Sequence, residues 1–446
     1  MARCRAAWLG LCLPLCGCAE KAPPKSTPIE DLPALADFRP ESGFKSVGED
    51  ITDYVRAQNA EGREPPMPKR KGGVARTGLR PRITKRSNGF VANIPRASRM
   101  ASPAFYNGRI YAAGFGSYEL YALGAQTGKP EWGIHLSDDG PTDPACKDGV
   151  CVFNTFSCTL FGVDADTGKH LWSWYLGAPQ LATPVVAGKI VYSSYPSYSS
   201  ETPFVIAAFD LHTGKPLWQR WIDDEVVSTP VAHKGSVYLG TRLGTLYQFG
   251  AENGEVISAK KSMITSPPVV TARGILFNHE ATPAPNDYIV SSAPIFPELE
   301  VTRLRQQRIE PKPRPLVSED RFIEVDNGVV RATNLSSGDP LWHVRMDDDK
   351  PANINAPLLR AGSSVLLATA QGNILRIDPD SGQVISVFQL EGGGLSSQPI
   401  AVDGWIYAGT HAGTIVAYDT GDGSLTGWEM LGGGPDRRGT VDPEGT

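Results

Sequence analysis

A proline-led unit recurs eight times along this chain, about 42 residues apart, and that spacing constrains the fold more than any other feature. The prolines are Pro103, Pro144, Pro184, Pro230, Pro268, Pro315, Pro357 and Pro399. After each come two or three small or apolar residues, a tight-turn pair and an apolar strand, as in Thr183-Pro184-Val185-Val186-Ala187-Gly188-Lys189-Ile190-Val191-Tyr192. Most copies then reach a second turn and a tryptophan, as in Asp210-Leu211-His212-Thr213-Gly214-Lys215-Pro216-Leu217-Trp218. Short strands repeated at this period cannot bury their faces alone, and they stack as propeller blades. The expectation is an all-β, eight-bladed β-propeller of four-stranded antiparallel blades over residues 65–446. Blade 5 is expected to be irregular, with strands B, C and D at Ile275 to Asn278, Asp287 to Ser291 and Leu299 to Arg305. Its loops are long and Pro-rich, and it has no tryptophan.

Each blade reads as a meander of strands A to D. Asn107-Gly108, Asp148-Gly149, Lys234-Gly235 and Asp403-Gly404 are the A–B turn pairs, since Gly and Asn tolerate positive φ. A Thr-Gly or Ser-Gly pair makes the C–D corner. Trp132, Trp172, Trp218 and Trp342 open strand D, and are expected to lock each blade to its neighbour by burying a large flat ring. Ile257 and Ile385 stand in that place in blades 4 and 7. Gly89 to Ile94 is expected to complete the last blade. The stretches Met67 to Gly78 and Met430 to Gly439 echo each other, which leaves open the end that supplies the closing strand.

Arg3 and Arg5 precede an apolar run, Ala6 to Leu15, too short to span a bilayer, so residues 1–17 read as a signal peptide. Leu15-Cys16-Gly17-Cys18 resembles a bacterial lipobox, which implies a lipid on Cys18 and a stable membrane anchor. Ala19 after it implies an outer-membrane lipoprotein facing the periplasm; ordinary secretion is the alternative. Residues 18–64 are rich in Pro, Glu, Asp and Ser and are expected to form a flexible tether, with one short helix near Glu49 to Ala60. Pro65 to Asn88 reads as irregular, and its basic stretch Lys69 to Arg86 as a solvated linker. A net charge of −5 gives no ground for nucleic acid as a partner.

Four of the seven cysteines lie within the first 18 residues. Across the Asp148-Gly149 turn, Cys146 faces Cys151 and could pair with it; Cys151 with Cys158, or three buried thiols, are the alternatives. Catalytic signals are weak. Asp164 to Gly168 lacks the length and terminal Glu of a calcium loop. His279-Glu280 has no second His at helical spacing, and the seven histidines are scattered.

The small-Pro start, the Asp-x-x-Thr-Gly corner and the Leu-Trp pair resemble the pyrroloquinoline-quinone (PQQ) type propeller repeat, over about Arg76 to Met430. Two families share that repeat: the quinoprotein dehydrogenases and the BamB-type propeller lipoproteins of the β-barrel assembly (Bam) machinery. An eight-unit ring behind a lipobox is similar to the second. That resemblance implies a non-catalytic scaffold assisting outer-membrane protein assembly, without a cofactor and with envelope proteins as partners. A PQQ-type oxidoreductase and a ligand- or polysaccharide-binding propeller are the alternatives. The dehydrogenase is expected to show a catalytic Asp, a calcium site and often a vicinal disulfide under the quinone; the mature sequence has no Cys-Cys pair and no Cys-x-x-Cys-His haem site. The lipoproteins carry a Leu-Arg-Gly run and an Asp-x-Asp pair. The corresponding junctions here read Asp223-Asp224-Glu225-Val226-Val227 and Lys261-Ser262-Met263-Ile264-Thr265, and neither matches.

In a propeller meander the B–C and D–A loops share one face. Phe115, Tyr118 and Phe156 fall there, with inserts near Ser193 to Glu201 and Ala281 to Asn286. The D–A loops carry Asp138-Asp139, Asp223-Asp224-Glu225 and Asp347-Asp348-Asp349. Tyr195, Tyr198, Asp223, Asp224, Asp347, Asp348 and Asp349 are the candidate partner-binding residues, because tyrosine gives contact area at low entropic cost.

Overall fold

Two-residue turns with positive φ at both positions build the inner hairpins. The values are 49° and 74° at Asn107 and Gly108, 46° and 80° at Asp148 and Gly149, and 43° and 78° at Lys234 and Gly235. This is the turn whose twist matches paired strands. The structure is a computed structural model that describes residues 49–60, 65–70, 72–136, 140–156, 159–177, 183–196, 204–226, 229–261, 264, 266–271, 274–276, 314–326, 329–335, 337–345, 358–369, 371–390 and 393–429. All of them belong to one unit, Ser42–Thr446.

The strands form a β-propeller of four-stranded antiparallel blades, and the described residues show seven such blades rather than the expected eight. With blades numbered by sequence repeat, the described residues at position 5 form a two-stranded hairpin, Val269–Thr271 with Gly274–Leu276. That stretch has neither the Thr-Gly corner nor the strand D tryptophan found in blades 1, 2 and 3. The strands expected there at Asp287 to Ser291 and Leu299 to Arg305 lie outside the described residues. Ile275 and Phe322 belong to different sheets. Strand A of blade 2 (Ala145–Lys147) touches the A strands of blades 1 and 3, so the A strands face the axis and the D strands the rim.

The core lies between blades. One apolar cluster joins blades 1 and 2 through Tyr111, Trp132, Phe153 and Phe161, and another joins blades 3 and 4 through Tyr192, Trp218, Tyr247 and Phe249. A bulge in the C–D hairpins sets this up. In blade 2, Trp172 pairs with Gly162 and His170 with Val163, which leaves Leu171 as the extra residue. Leu217, Ile257, Leu341 and Ile385 take the same extra position in their blades, and all five are exposed. A bulge re-aims the next side chain, here the tryptophan, toward the following blade. Ile257 and Ile385 therefore do not replace tryptophan: they are outward-facing bulge residues, and Ser258 and Ser386 hold the tryptophan position.

Each indole meets the C–D corner of the next blade. Trp132, Trp172, Trp218 and Trp342 donate Nε1–H to the carbonyls of Ala165, Leu211, Ala251 and Pro379, at 3.0, 2.8, 2.9 and 2.9 Å. Between blades 7 and 8, where Ser386 stands instead, Arg376 pairs with Asp422 at 2.9 Å and Phe388 packs on Tyr418.

The described part of the N-terminal segment packs on the ring. Strand β1 (Glu49–Asp50) adds to strand D of blade 4, and helix α1 (Thr52–Gln58) packs beside it with Val55 buried. Strand β2 (Lys69–Arg70) adds to strand D of blade 2, and β3 (Ala75–Arg76) to strand D of blade 1. Strand β4 (Arg82–Arg86) pairs with β5 (Gly89–Asn93), which is itself strand D of blade 8 and closes the ring on Thr414–Asp419. Thus α1 and strands β1 to β4 girdle the rim. The tether expected over 18–64 does not reach residue 64, and the irregular linker expected over 65–88 carries three fifth strands. The closing strand is N-terminal; Gly427–Glu429 instead pairs with Leu359–Ala361, strand A of blade 7.

Candidate functional site

The loop face is built by D–A crossovers that lie along the B–C loop of the blade they enter. Pro141 bridges Thr155, Val226 bridges Thr241 and Leu395 bridges Thr410. Main-chain bonds add to each: Phe156 N–H to the Gly140 carbonyl at 3.1 Å, Arg242 to Glu225 at 2.9 Å, His411 to Gly394 at 2.9 Å. Threonine hydroxyls tighten the B–C turns from inside, with Thr410 and Thr414 oxygens 2.7 Å apart and both residues buried. A face stapled in this way holds its surface residues on a fixed frame, which is what a docking surface requires.

The candidate residues divide sharply. Asp223 is 2% exposed and lies inside the crossover from blade 3 to blade 4. It accepts hydrogen bonds from Thr241 Oγ1 at 2.6 Å, from Lys261 Nζ at 2.6 Å, and from Thr245 Oγ1. Burial pushes its carboxyl up, but the Lys261 ammonium and these three donors outweigh that and hold it below its ordinary value. The phenol of Tyr247, fully buried and accepting the Asp223 N–H at 3.1 Å, is raised by burial and then by the Asp223 charge. Asp223 is thus a structural clasp, not a docking residue, and Asp224 at 8% exposure is buried too. Tyr195 is likewise buried, its hydroxyl donating to Gln219 Oε1, whose amide in turn donates to the Pro65 carbonyl at 3.3 Å. Tyr198, Asp347, Asp348 and Asp349 lie outside the described residues, as do Asp138 and Asp139. Cys18 and Cys158 also lie outside them, while Cys146 and Cys151 are joined as a disulfide across their hairpin.

What the described part of the face presents is aromatic and basic. Tyr118 and Phe156 are exposed on the B–C loops of blades 1 and 2. Arg96 and Arg99 are exposed on the crossover into blade 1, with the Arg99 guanidinium 4.1 Å from the centre of the Phe115 ring. His135 stacks 6.1 Å from Tyr118 and meets the buried Glu119 carboxylate at 3.3 Å. The arginines escaped a sequence reading drawn to acidic runs. The pattern Arg96-Ala97-Ser98-Arg99 just ahead of Pro103 was the available signal. Among the described residues no three His, Cys, Asp or Glu side chains come together as a metal site.

The family described as outer membrane protein assembly factor BamB matches residues 91–286 and 301–442. The chain belongs to the BamB family. No curated protein matches it. Among solved structures it is similar to BamB from Moraxella catarrhalis, with 17% identity over 79% of this chain and 100% of that one, at a TM-score of 0.43. The computationally designed Ika8 protein is 16% identical over 73% and 98% of the two chains, at 0.51. The quinohemoprotein alcohol dehydrogenase ADHIIG from Pseudomonas putida HK5 is 13% identical over 74% and 75%, also at 0.51. The last two likenesses concern the fold alone. BamB family membership spans nearly the whole ring, from within β5 to beyond strand C of blade 8.

Proposed function

We propose that this chain is a non-catalytic scaffold of the cell envelope, held at the outer membrane by a lipid on Cys18 and assisting outer-membrane protein assembly. The observation that carries this reading is the BamB family match across residues 91–442 in two segments. The stapled loop face supports it, with Tyr118 and Phe156 offering aromatic area on a fixed frame. The partner is an envelope protein, and the barrel-assembly machinery is the first to test.

The experiment is affinity capture of the tagged full chain from native membranes. Combined Tyr118→Ala, Phe156→Ala and charge reversal of Asp347, Asp348 and Asp349 should abolish recovery of barrel-assembly proteins, with little change in Tm. Lys147→Glu and Lys234→Glu on the opposite face should not. Loss with the second set alone would invert the docking side. Dye-linked dehydrogenase activity after loading with PQQ and calcium would overturn the scaffold reading. Cys18→Ser that still sediments with membranes would remove the anchor.

A further inference from the structure

The girdle carries an unusual charge distribution. Residues 65–88 hold eight of the 43 lysines and arginines of the chain and none of its 48 acidic residues, so the rest of this net-negative chain is more acidic still. The fold places that tract on the outer rim. Lys69 and Arg70 lie on blade 2, Arg76 on blade 1, and Arg82, Lys85 and Arg86 on the outermost strand of blade 8, all exposed. Arg80 joins the last two groups and is also exposed. Arg70 rests on the Trp174 ring, 5.1 Å from its centre. Arg76, Arg80, Arg82 and Lys85 have no ion pair with any described residue.

We infer that the rim of blades 1 and 8 is a docking surface for an anionic phospholipid membrane. Three observations favour a lipid surface over an acidic polypeptide. First, among the described residues β4 is the outer edge of its sheet, and its lysine and arginines are the residues that discourage addition of a further strand, so peptide pairing is disfavoured where the charge is densest. Second, the cations are long, exposed and spread along the rims of two neighbouring blades, which suits a broad field of phosphates. Each Lys or Arg at such a surface improves partitioning roughly fivefold. Third, the remainder of the chain carries net negative charge and is repelled by the same surface, which favours this rim as the side that approaches. The inference goes beyond the scaffold reading and depends neither on the Cys18 lipid nor on the docking partner.

The test uses the full chain carrying Cys18→Ala, so that no anchor contributes. Flotation is measured with vesicles of phosphatidylcholine alone and with vesicles containing phosphatidylglycerol. Binding to the neutral vesicles reports whatever the apolar segment 6–15 contributes. The chain should bind the anionic vesicles at least about tenfold better, and the excess should vanish as salt rises from about 0.1 to 1 M, where screening shortens from about 10 to 3 Å. Arg80→Glu, Arg82→Glu and Lys85→Glu together should remove the excess. The glutamine counterparts, which keep size and polarity, should remove most of it, with circular dichroism unchanged in both sets. Equal binding to the two vesicle types, or an excess untouched by either triple variant, overturns the inference. So does binding to polyglutamate without binding to anionic vesicles, which would make an acidic polypeptide the ligand.

Discussion

The indole of Trp172 lies flat against Gly214 of the following blade. A Cβ on Gly214 would come within 2.5 Å of the ring. Gly214 also has φ of 64°, and its carbonyl accepts Nε1–H from Trp174 at 2.6 Å. The corner glycine is therefore held for two reasons, backbone conformation and ring contact. Gly188 separates them, since it has φ of 58° with nothing within 4 Å of its would-be Cβ. Gly188→Ala should cost about 1–2 kcal/mol from backbone alone. Gly214→Ala should cost roughly 2–5 kcal/mol, the overpacking being added. Urea denaturation compares them, and equal losses would mean that the indole yields freely.

The same contact sets the worth of the tryptophans. Trp172 and Trp218 are 4% and 6% exposed, and both donate across the blade boundary. Trp172→Ala and Trp218→Ala should each destabilise by about 3–5 kcal/mol. Losses below about 1 kcal/mol would show that blades hold together without these rings.

The blade pattern was legible because it is local. Asp148-Gly149 and Lys234-Gly235 announce a hairpin within four residues, and the Thr-Gly corner another. The bulge was not legible, since neither Leu171-Trp172 nor Ile257-Ser258 shows which residue is the extra one until the register of strand C is known. The girdle was hidden for a different reason. Lys69–Arg70 and Ala75–Arg76 join the sheets as two-residue edge strands, and such short pairings leave no apolar period to read. Asp223 looked like one of three surface charges because its partner Lys261 is 38 residues away.

Asp223 gives a pH signature. Its folded carboxyl titrates below the unfolded value of about 3.9, so its stabilisation is complete above about pH 4 and is lost as pH falls through the folded value. Asp223→Asn removes the charge that faces Lys261 and should cost about 3 kcal/mol or more at neutral pH. The gap between the two proteins should narrow on acidification below about pH 4. A gap of the same size at pH 7 and pH 3 would show that Lys261 does not depend on this carboxylate.

Helix α1 should come off its blade as a unit. Val55 and Ile51 are buried against blade 4, Arg56 Nε donates to the Val256 carbonyl at 2.9 Å, and Asn59 Oδ1 accepts from Trp221 N–H at 2.7 Å. Val55→Asp places an unpaired charge in that contact. Trypsin should then cut the chain at Arg56 or Arg63 far faster than in the parent protein, leaving a resistant ring. Unchanged cleavage would place the hold on this segment in β1 and the strands beyond, not in the helix.

Ring closure makes the strongest demand on one residue. Phe90 of β5 holds in blade 8 the position that tryptophan holds elsewhere, paired with Ala417 and packed on the corner Gly128 of blade 1, where a Cβ would come within 2.6 Å of its ring. It is 1% exposed. This strand joins the two ends of the chain, so its contact is made late and at long sequence separation. Phe90→Ala should cost about 3–5 kcal/mol, as for other large buried aromatics. Because strand D of blade 8 is not continuous with its strand C, hydrogen exchange should rise first in β5 and in Thr414–Asp419, before blades 2 and 3 respond. Uniform loss of protection around the ring would instead mean that closure and blade stacking are a single cooperative event, with Phe90 no weaker a point than Trp172.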